Sequence, residues 1–153
     1  MKLVTLRRAI TGSLLIFCLT VAAQEKGNWR ASSNNARSIT GDVALSDEKI
    51  SINFSTFPMA QIRSLDKAET SAAFNTVSTA DGTGSLYRLS IPGAKKFLHK
   101  NTLCGTEDAQ WMATYVSGKT LQLAFFSGEK SPVFTLDAMA NSTDLCGTFS
   151  YAK

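Results

Sequence analysis

The sequence consists largely of short runs in which apolar and polar residues alternate, and this pattern constrains the fold more than any other feature. In Lys49–Thr56, Ile50, Ile52 and Phe54 occupy every second position and share one face. Alternation with period two is typical of a strand that is buried on one side. No segment long enough for a core helix shows an apolar stripe of helical period. The sequence therefore predicts an all-β protein.

Further strands are predicted along the chain, with turn-forming residues between them. They fall at residues 38–46, 59–65, 86–91, 109–117, 120–127, 132–136 and 145–151. Tight hairpin turns are expected at 47–48 and 118–119. Pro58 is expected to end one strand or to begin the next. Residues 66–85 form a long connection that includes a short helix over Lys67–Phe74 in our interpretation.

About eight short antiparallel strands must avoid exposed edges, either by closing into a barrel or by pairing two sheets. We predict a small antiparallel up-and-down β-barrel over residues 24–153, with a β-sandwich as the alternative. The chain has 153 residues, of which 44% are hydrophobic, and this suits one domain with its own core.

Residues 1–23 have the three parts of a secretory signal peptide: a basic start, an apolar stretch and a small-residue end at Ala23. The apolar stretch has about half of the roughly 20 residues that a membrane span requires. We therefore expect cleavage between Ala23 and Gln24 and no membrane span in the mature chain. The protein is expected to be periplasmic or secreted.

Removal of the signal peptide changes the charge balance. The full chain has 16 basic and 12 acidic residues, and the signal peptide contains Lys2, Arg7 and Arg8 but no acidic residue. The mature chain would therefore have 13 basic and 12 acidic residues. Its densest basic run is a loop with three lysines at 95–100. Proteins that bind nucleic acids usually carry a denser basic face, so we do not expect a nucleic-acid partner.

Cleavage would also remove Cys18 and leave Cys104 and Cys146, each in a Leu-Cys-Gly-Thr sequence. Two cysteines in a small exported protein are expected to pair. A Cys104–Cys146 disulfide would close a loop of about 43 residues and stabilise the fold by roughly 4 kcal/mol in the chain-entropy model. A zinc site would need more ligands, and His99 is the only histidine, so no metal or other cofactor is expected.

Gly27-Asn28-Trp29 follows the predicted signal peptide and resembles the G-x-W motif of the calycins, which include lipocalins, avidins and small bacterial inhibitors of secreted metalloproteases. The resemblance implies a barrel in which Trp29 plugs one end and Gly27 allows a close approach of the chain. Calycins often place a late basic side chain over this Trp. Arg88 comes too early for that role and Lys153 is the last residue, so no such cover is expected.

The two Leu-Cys-Gly-Thr sequences, with a Trp-containing strand between them, resemble those of a group of uncharacterised exported proteobacterial proteins. That resemblance implies export and a small β fold. It implies no activity.

The sequence contains no recognisable catalytic set. His99, the only imidazole base, lies in the lysine-rich loop, and no serine lies in a G-x-S-x-G motif. Glu107 and Asp108 are adjacent, but neighbours at a strand end point in opposite directions and do not form a catalytic carboxylate pair. We therefore expect that the protein is not an enzyme.

By elimination, we expect an exported binding protein that inhibits a hydrolase such as a lysozyme or a protease. An inhibitor would present a loop, for which residues 66–85 and 93–103 are the candidates. The alternative is a lipocalin-like carrier whose inward-facing apolar and aromatic residues line a cavity for a small apolar ligand.

Overall fold

The computed structural model describes residues 25–76 and 81–153, so the predicted signal peptide and its cleavage site at Ala23 and Gln24 lie outside the described residues. Eight strands form a closed antiparallel barrel in chain order, and β1 pairs with β8 to complete it. This confirms the predicted up-and-down barrel and excludes the β-sandwich. The strands are β1 (Gly27–Ala31), β2 (Val43–Leu45), β3 (Lys49–Ile52), β4 (Ser55–Leu65), β5 (Thr83–Ile91), β6 (Ala109–Ser117), β7 (Thr120–Phe126) and β8 (Leu145–Ala152).

Side chains fill the inside of the barrel. Every strand contributes at least one buried apolar residue to this main core, because alternate residues of each strand point inward. Phe125 and Phe149 meet edge to face with ring centroids 5.6 Å apart. One residue from each strand illustrates the set: Trp29, Val43, Ile50, Met59, Leu89, Met112, Leu123 and Phe149.

Two helices cover part of the outer surface of the barrel and create a second core. Helix α1 (Lys67–Phe74) confirms the predicted short helix, and α2 (Leu136–Ala140) lies beside it. A capping box starts α1, since Asp66 accepts from the Glu69 N–H and Glu69 accepts from the Asp66 N–H. The outer core contains Leu65, Ala73, Phe74, Leu86, Ala113, Tyr115, Ala124, Phe126 and Phe134.

The strand predicted at 132–136 is wrong. Most of these residues lie in the irregular connection between β7 and β8, and Leu136 begins α2. The Thr135 side chain accepts a hydrogen bond from the Ala138 N–H at 3.1 Å and so caps the helix. The segment predicted as a strand at 38–46 is only partly one, because Ala36–Thr40 is helical and β2 begins at Val43.

The predicted strand Lys49–Thr56 is also wrong, because the chain reverses in its middle. β3 ends at Ile52, two residues form a turn, and β4 begins at Ser55. Ile50 then pairs with Phe57. The inward positions are therefore even-numbered in β3 and odd-numbered at the start of β4, where Phe57 and Met59 face the main core.

Pro58 lies within β4, not at a strand end. Its neighbour on one side is Lys49 of β3, whereas pairing with β5 begins only at Met59. A proline is tolerated here because one side of β4 is still unpaired at this point.

The Cys104–Cys146 disulfide is present, as predicted, with the two Cα atoms 4.8 Å apart. It joins the connection between β5 and β6 to β8. Both cysteines pack against the main core. The bond therefore fastens the 92–108 loop at one end of the barrel to the strand that closes the sheet.

Replacing both cysteines, Cys104→Ser with Cys146→Ser, is expected to lower the free energy of unfolding by about 4 kcal/mol. The unfolded chain is then no longer cross-linked across a separation of 42 residues and regains conformational entropy. Urea denaturation under non-oxidising conditions measures the loss, with reduced wild-type protein as the control. Equal stability of the variant and the oxidised wild type would contradict the prediction, as would two titratable thiols in the native protein.

Candidate functional site

Four connections leave the same end of the barrel, and we call this the loop end: residues 32–42, 53–54, 92–108 and 127–144. It is held together from inside. The Tyr151 hydroxyl is within 2.7 Å of the Thr40 hydroxyl, so the helical segment Ala36–Thr40 is fastened to the interior of the barrel. The Asn101 side chain donates to the Ser38 carbonyl at 3.0 Å and links the 92–108 connection to that segment.

The two-residue turn at Asn53 and Phe54 is the most unusual feature of the loop end. Both residues have positive φ, 45° and 65°. This geometry suits a tight β-hairpin, but its second position normally carries glycine. A left-handed conformation costs a residue with a side chain roughly 1–2 kcal/mol. The chain therefore keeps a phenylalanine where glycine would be more stable.

Phe54 is fully exposed, with 104% of its reference surface accessible. We expected it to share a face with Ile50 and Ile52, and those two side chains are completely buried. The expectation was wrong because the alternation of the sequence continues through a reversal of the backbone. One feature of the sequence indicates the turn: the apolar positions are even-numbered up to Ile52 and odd-numbered from Phe57. Between them lies Asn53, and asparagine tolerates positive φ.

A groove of about 630 Å³ lies beside this turn on the outer surface of β1, β2 and β3. Asn28, Ala44 and Ser51 are neighbours across the three strands, and their short side chains leave a depression. Phe54 and Leu98 contribute apolar surface from two different connections. Arg30 and Asp42 supply the charged groups of the lining.

A second pair of strained residues follows Leu98. His99 and Lys100 have φ values of 53° and 62°. Among the described residues, the only other non-glycine position with positive φ is Asn75, which ends α1. Backbone strain of this kind concentrates at functional sites, where the surrounding structure maintains it. Both strained pairs thus lie next to residues that line the groove.

The two loops considered for an inhibitor differ in their placement. In residues 66–85, α1 buries Ala73 and Phe74 against the barrel, and residues 77–80 lie outside the described part. In residues 93–103, Phe97 and Leu103 are buried while Leu98 lines the groove. The 93–103 loop is therefore part of the loop-end surface. His99 forms no hydrogen bond or ion pair with any described residue.

Trp29, which we predicted to plug one end of the barrel, lies in β1. Trp29 is 1% exposed in the main core, and its indole N–H donates to the Glu25 carbonyl at 2.8 Å. The Lys153 ammonium lies 4.4 Å from the centre of the Trp29 ring. Our expectation that no basic side chain would cover Trp29 was wrong, because β8 brings the last residue of the chain back to β1. Gly27 has a φ of 116°, which favours glycine at that position.

Arg88, the other basic residue considered, lies on the outer surface and stacks on Trp111 at 4.7 Å instead. It is held by two hydrogen bonds to Gln110, one to the backbone carbonyl and one to the side chain. Arg88 therefore belongs to the outer face of the sheet.

A buried carboxyl group lies next to Trp29. Glu25 Oε2 accepts from the Tyr87 hydroxyl at 3.2 Å, while Oε1 is buried without a partner among the described residues. Burial raises the pKa of Glu25, although the nearby hydroxyl groups of Thr114 and Tyr87 and the charge of Lys26 lower it in part. Burial of the Tyr87 side chain and the neighbouring Glu25 charge raise the pKa of the Tyr87 hydroxyl. A carboxyl in this environment favours its protonated form.

No protein-family model matches the chain, and no curated protein or solved structure matches it either. Within residues 25–76 and 81–153, no three side chains of the metal-binding types His, Cys, Asp or Glu are grouped in a way that could hold a metal ion. The helices in this part of the chain are too short or too polar to cross a membrane.

Replacing Phe54→Gly is expected to stabilise the fold by about 0.5–1 kcal/mol. Relief of the left-handed strain, about 1–2 kcal/mol, exceeds the entropy cost of glycine, about 0.5–1 kcal/mol. Urea denaturation measures the change, and Phe54→Ala is the control because alanine keeps the strain. Loss of stability in the glycine variant would show that the Phe54 side chain contributes to the fold.

The raised pKa of Glu25 predicts a stability that depends on pH. The folded protein retains a proton that the unfolded chain releases, so the free energy of unfolding falls as the pH rises above the ordinary value of 4.5. Below that value both states are protonated and the full stability is present. Urea denaturation at a series of pH values between 4 and 7 measures how the free energy of unfolding changes with pH. Glu25→Gln should reduce this change, whereas Glu107→Gln, at an exposed position, should not. An unchanged slope in the Glu25 variant would contradict the assignment.

Proposed function

We propose that this chain is an exported, non-enzymatic protein that inhibits a hydrolase by inserting the Asn53–Phe54 hairpin into the substrate cleft of that enzyme. The observation that carries the proposal is the complete exposure of Phe54 on a strained turn. A structural role does not account for this residue, since its side chain is fully accessible and glycine would suit the backbone better.

The hairpin has the properties of a binding element that is organised before it meets its partner. Four consecutive residue pairs connect β3 to β4, and the Ser51 and Thr56 hydroxyls are 2.9 Å apart across the outer face. A rigid aromatic side chain loses little conformational entropy on binding, and aromatic residues dominate the binding energy of interfaces. An exposed aromatic side chain on a tight two-residue turn can also enter a concave substrate cleft.

The loop end supports the hairpin as a rigid platform. The disulfide at Cys104 restrains the 92–108 connection, and the Tyr151–Thr40 contact restrains the 36–40 segment. Small displacements of a binding group weaken inhibition strongly, so a fixed base is an advantage for a protein that inserts one residue.

A lipocalin-like carrier of a small apolar ligand is the weaker alternative. The interior of a carrier must leave space for its ligand, whereas Ile50, Ile52, Leu121, Leu123 and Phe125 are all completely buried within this barrel. The groove beside Phe54 lies outside the barrel and is open to solvent. Both features favour a protein partner over an enclosed small ligand.

The compartment follows from the same proposal. The Cys104–Cys146 bond fits a protein that folds in an oxidising environment. We place the mature protein, starting at Gln24, in the periplasm or outside the cell, where lysozymes and secreted proteases act.

Inhibition assays with the purified mature protein test the proposal against a lysozyme, a serine protease and a zinc metalloprotease. We expect inhibition of at least one enzyme class, and we expect Phe54→Ala to weaken it by about tenfold or more, as loss of an aromatic hot spot does. Leu136→Ala is the matched control, because Leu136 is also a large exposed apolar side chain, with 73% of its surface accessible, on a different face.

Two results would contradict the proposal. One is the absence of inhibition across the three classes. The other is equal inhibition by the wild type and Phe54→Ala, which would place the contact elsewhere on the molecule.

A further inference from the structure

We propose that residues 25–26 form a strap across the end of the barrel opposite the loop end, and that ionisation of the Glu25 carboxyl releases this strap and opens the interior to water. The connections at 46–48 and 118–119 lie at this end of the barrel. Phe54 lies at the other end, so the strap is independent of the proposed function.

The side chain of Glu25 reaches across the mouth of the barrel. In a closed barrel of eight strands in chain order, β5 lies opposite β1. Glu25 comes two residues before β1 begins at Gly27, yet its carboxyl accepts a hydrogen bond from the Tyr87 hydroxyl of β5 at 3.2 Å. Tyr87 belongs to the main core, so this contact is made from the inner side of the sheet. The strap therefore connects two opposite walls of the barrel.

The strap is held by single contacts from several elements and not by strand pairing, which begins only after it. The Trp29 indole N–H donates to the Glu25 carbonyl at 2.8 Å. The Lys153 ammonium donates to the Lys26 carbonyl at 3.1 Å, and the Lys26 ammonium pairs with Asp47. This ion pair is exposed, and exposed pairs add little stability. Release of the strap thus breaks no strand.

The surroundings of the Glu25 carboxyl suit its neutral form. Its Oε1 atom is buried and has no partner among the described residues. The Tyr87 hydroxyl stays protonated while Glu25 titrates, because burial and the Glu25 charge raise the Tyr87 pKa. Of the cations that contact the strap, Lys26 pairs with Asp47, and Lys153 lies over the indole ring of β1. Burial therefore dominates and raises the pKa of Glu25 above its ordinary value of 4.5.

Ionisation makes the closed position of the strap unfavourable. A carboxylate left in the barrel would keep its charge in a low-dielectric interior with one oxygen unpaired. Release transfers this charge to water and breaks only the few contacts that hold the strap. Gly27, directly after the strap, has a φ of 116° and can change its backbone conformation without a side-chain clash. The strap is therefore closed at low pH and opens as the pH rises through the pKa of Glu25.

Opening uncovers polar groups on the inner wall of the barrel. Ser85 of β5 and Thr114 of β6 are neighbours across the two strands, and both are buried. The Thr114 hydroxyl is close enough to the Glu25 carboxyl to lower its pKa in part. Water that enters when the strap opens would reach these hydroxyl groups.

NMR spectroscopy of the mature protein between pH 4 and 8 tests the proposal with two independent signals. The carbon shift of the Glu25 carboxyl reports its ionisation. Hydrogen exchange of the Trp29 indole N–H, expressed as a protection factor, reports opening, because this group donates to the strap. We expect the protection factor to fall about tenfold per pH unit up to the midpoint of the Glu25 titration, since each unit raises the ionised fraction about tenfold. Trp111→Phe assigns the signal, because the chain has two tryptophans.

Three variants separate a strap from a merely structural carboxyl. Glu25→Gln cannot ionise, so its protection factor should stay within about twofold over the whole pH range. Glu48→Gln, at an exposed position in the 46–48 connection of the same end, should keep the pH dependence of the wild type. Tyr87→Phe removes a hydroxyl that lowers the pKa of Glu25 and should move both midpoints together to higher pH. Tyr87→Phe also supplies the test if Glu25→Gln does not fold.

Three results would overturn the proposal. A constant protection factor while the Glu25 carboxyl titrates would show that the carboxylate stays inside the barrel. The same pH dependence in Glu25→Gln as in the wild type would assign opening to another group. A Glu25 carboxyl that stays protonated up to pH 8 would leave the strap closed throughout. None of these results bears on inhibition through Phe54.

Discussion

Closure of the sheet is the constraint on which the rest of the structure depends. β1 is short and pairs with β8 at only two positions, Arg30 with Ala152 and Ala31 with Tyr151. Side chains that cross this seam reinforce it, since Lys153 covers Trp29 and the Tyr151 hydroxyl contacts Thr40. Every inward-facing residue depends on this closure, because an open sheet would expose the main core to water.

In the proposed function, the closed and filled barrel stabilises the fold, and the connections at one end bind the partner. The interior supplies the apolar burial that stabilises the fold, and the connections at the loop end are free to adopt costly conformations. The pairs Asn53–Phe54 and His99–Lys100 show this most clearly, since both keep left-handed backbone without glycine. A rigid scaffold that presents strained loops is a common arrangement in binding proteins.

The sequence predicted the architecture well because the features that determine it are local. Alternation marked most of the strands, and Gly118 and Lys119 marked a tight turn. The short helix over Lys67–Phe74 was expected within the 66–85 connection. The disulfide followed from the cysteine count. These predictions required no knowledge of contacts between distant residues.

The candidate site was harder to predict, because it depends on a turn without the usual residue and on distant contacts. Phe54 continues the apolar alternation of β3, so the pattern placed it inside although the backbone turns before it. The groove combines residues as far apart as Asn28 and Leu98, which only the closed barrel brings together. The cover of Trp29 by Lys153 likewise depends on the final pairing of the first and last strands.

The most direct test of the central claim is to ask which face of the barrel touches the inhibited enzyme. A photoreactive benzoylphenylalanine placed at Phe54, or at Leu136 for comparison, can be irradiated in the complex and its cross-link located by mass spectrometry. The account predicts a cross-link from position 54 to residues of the substrate cleft, with little product from position 136. A cross-link mainly from position 136, or from position 54 to a surface remote from the cleft, would contradict it.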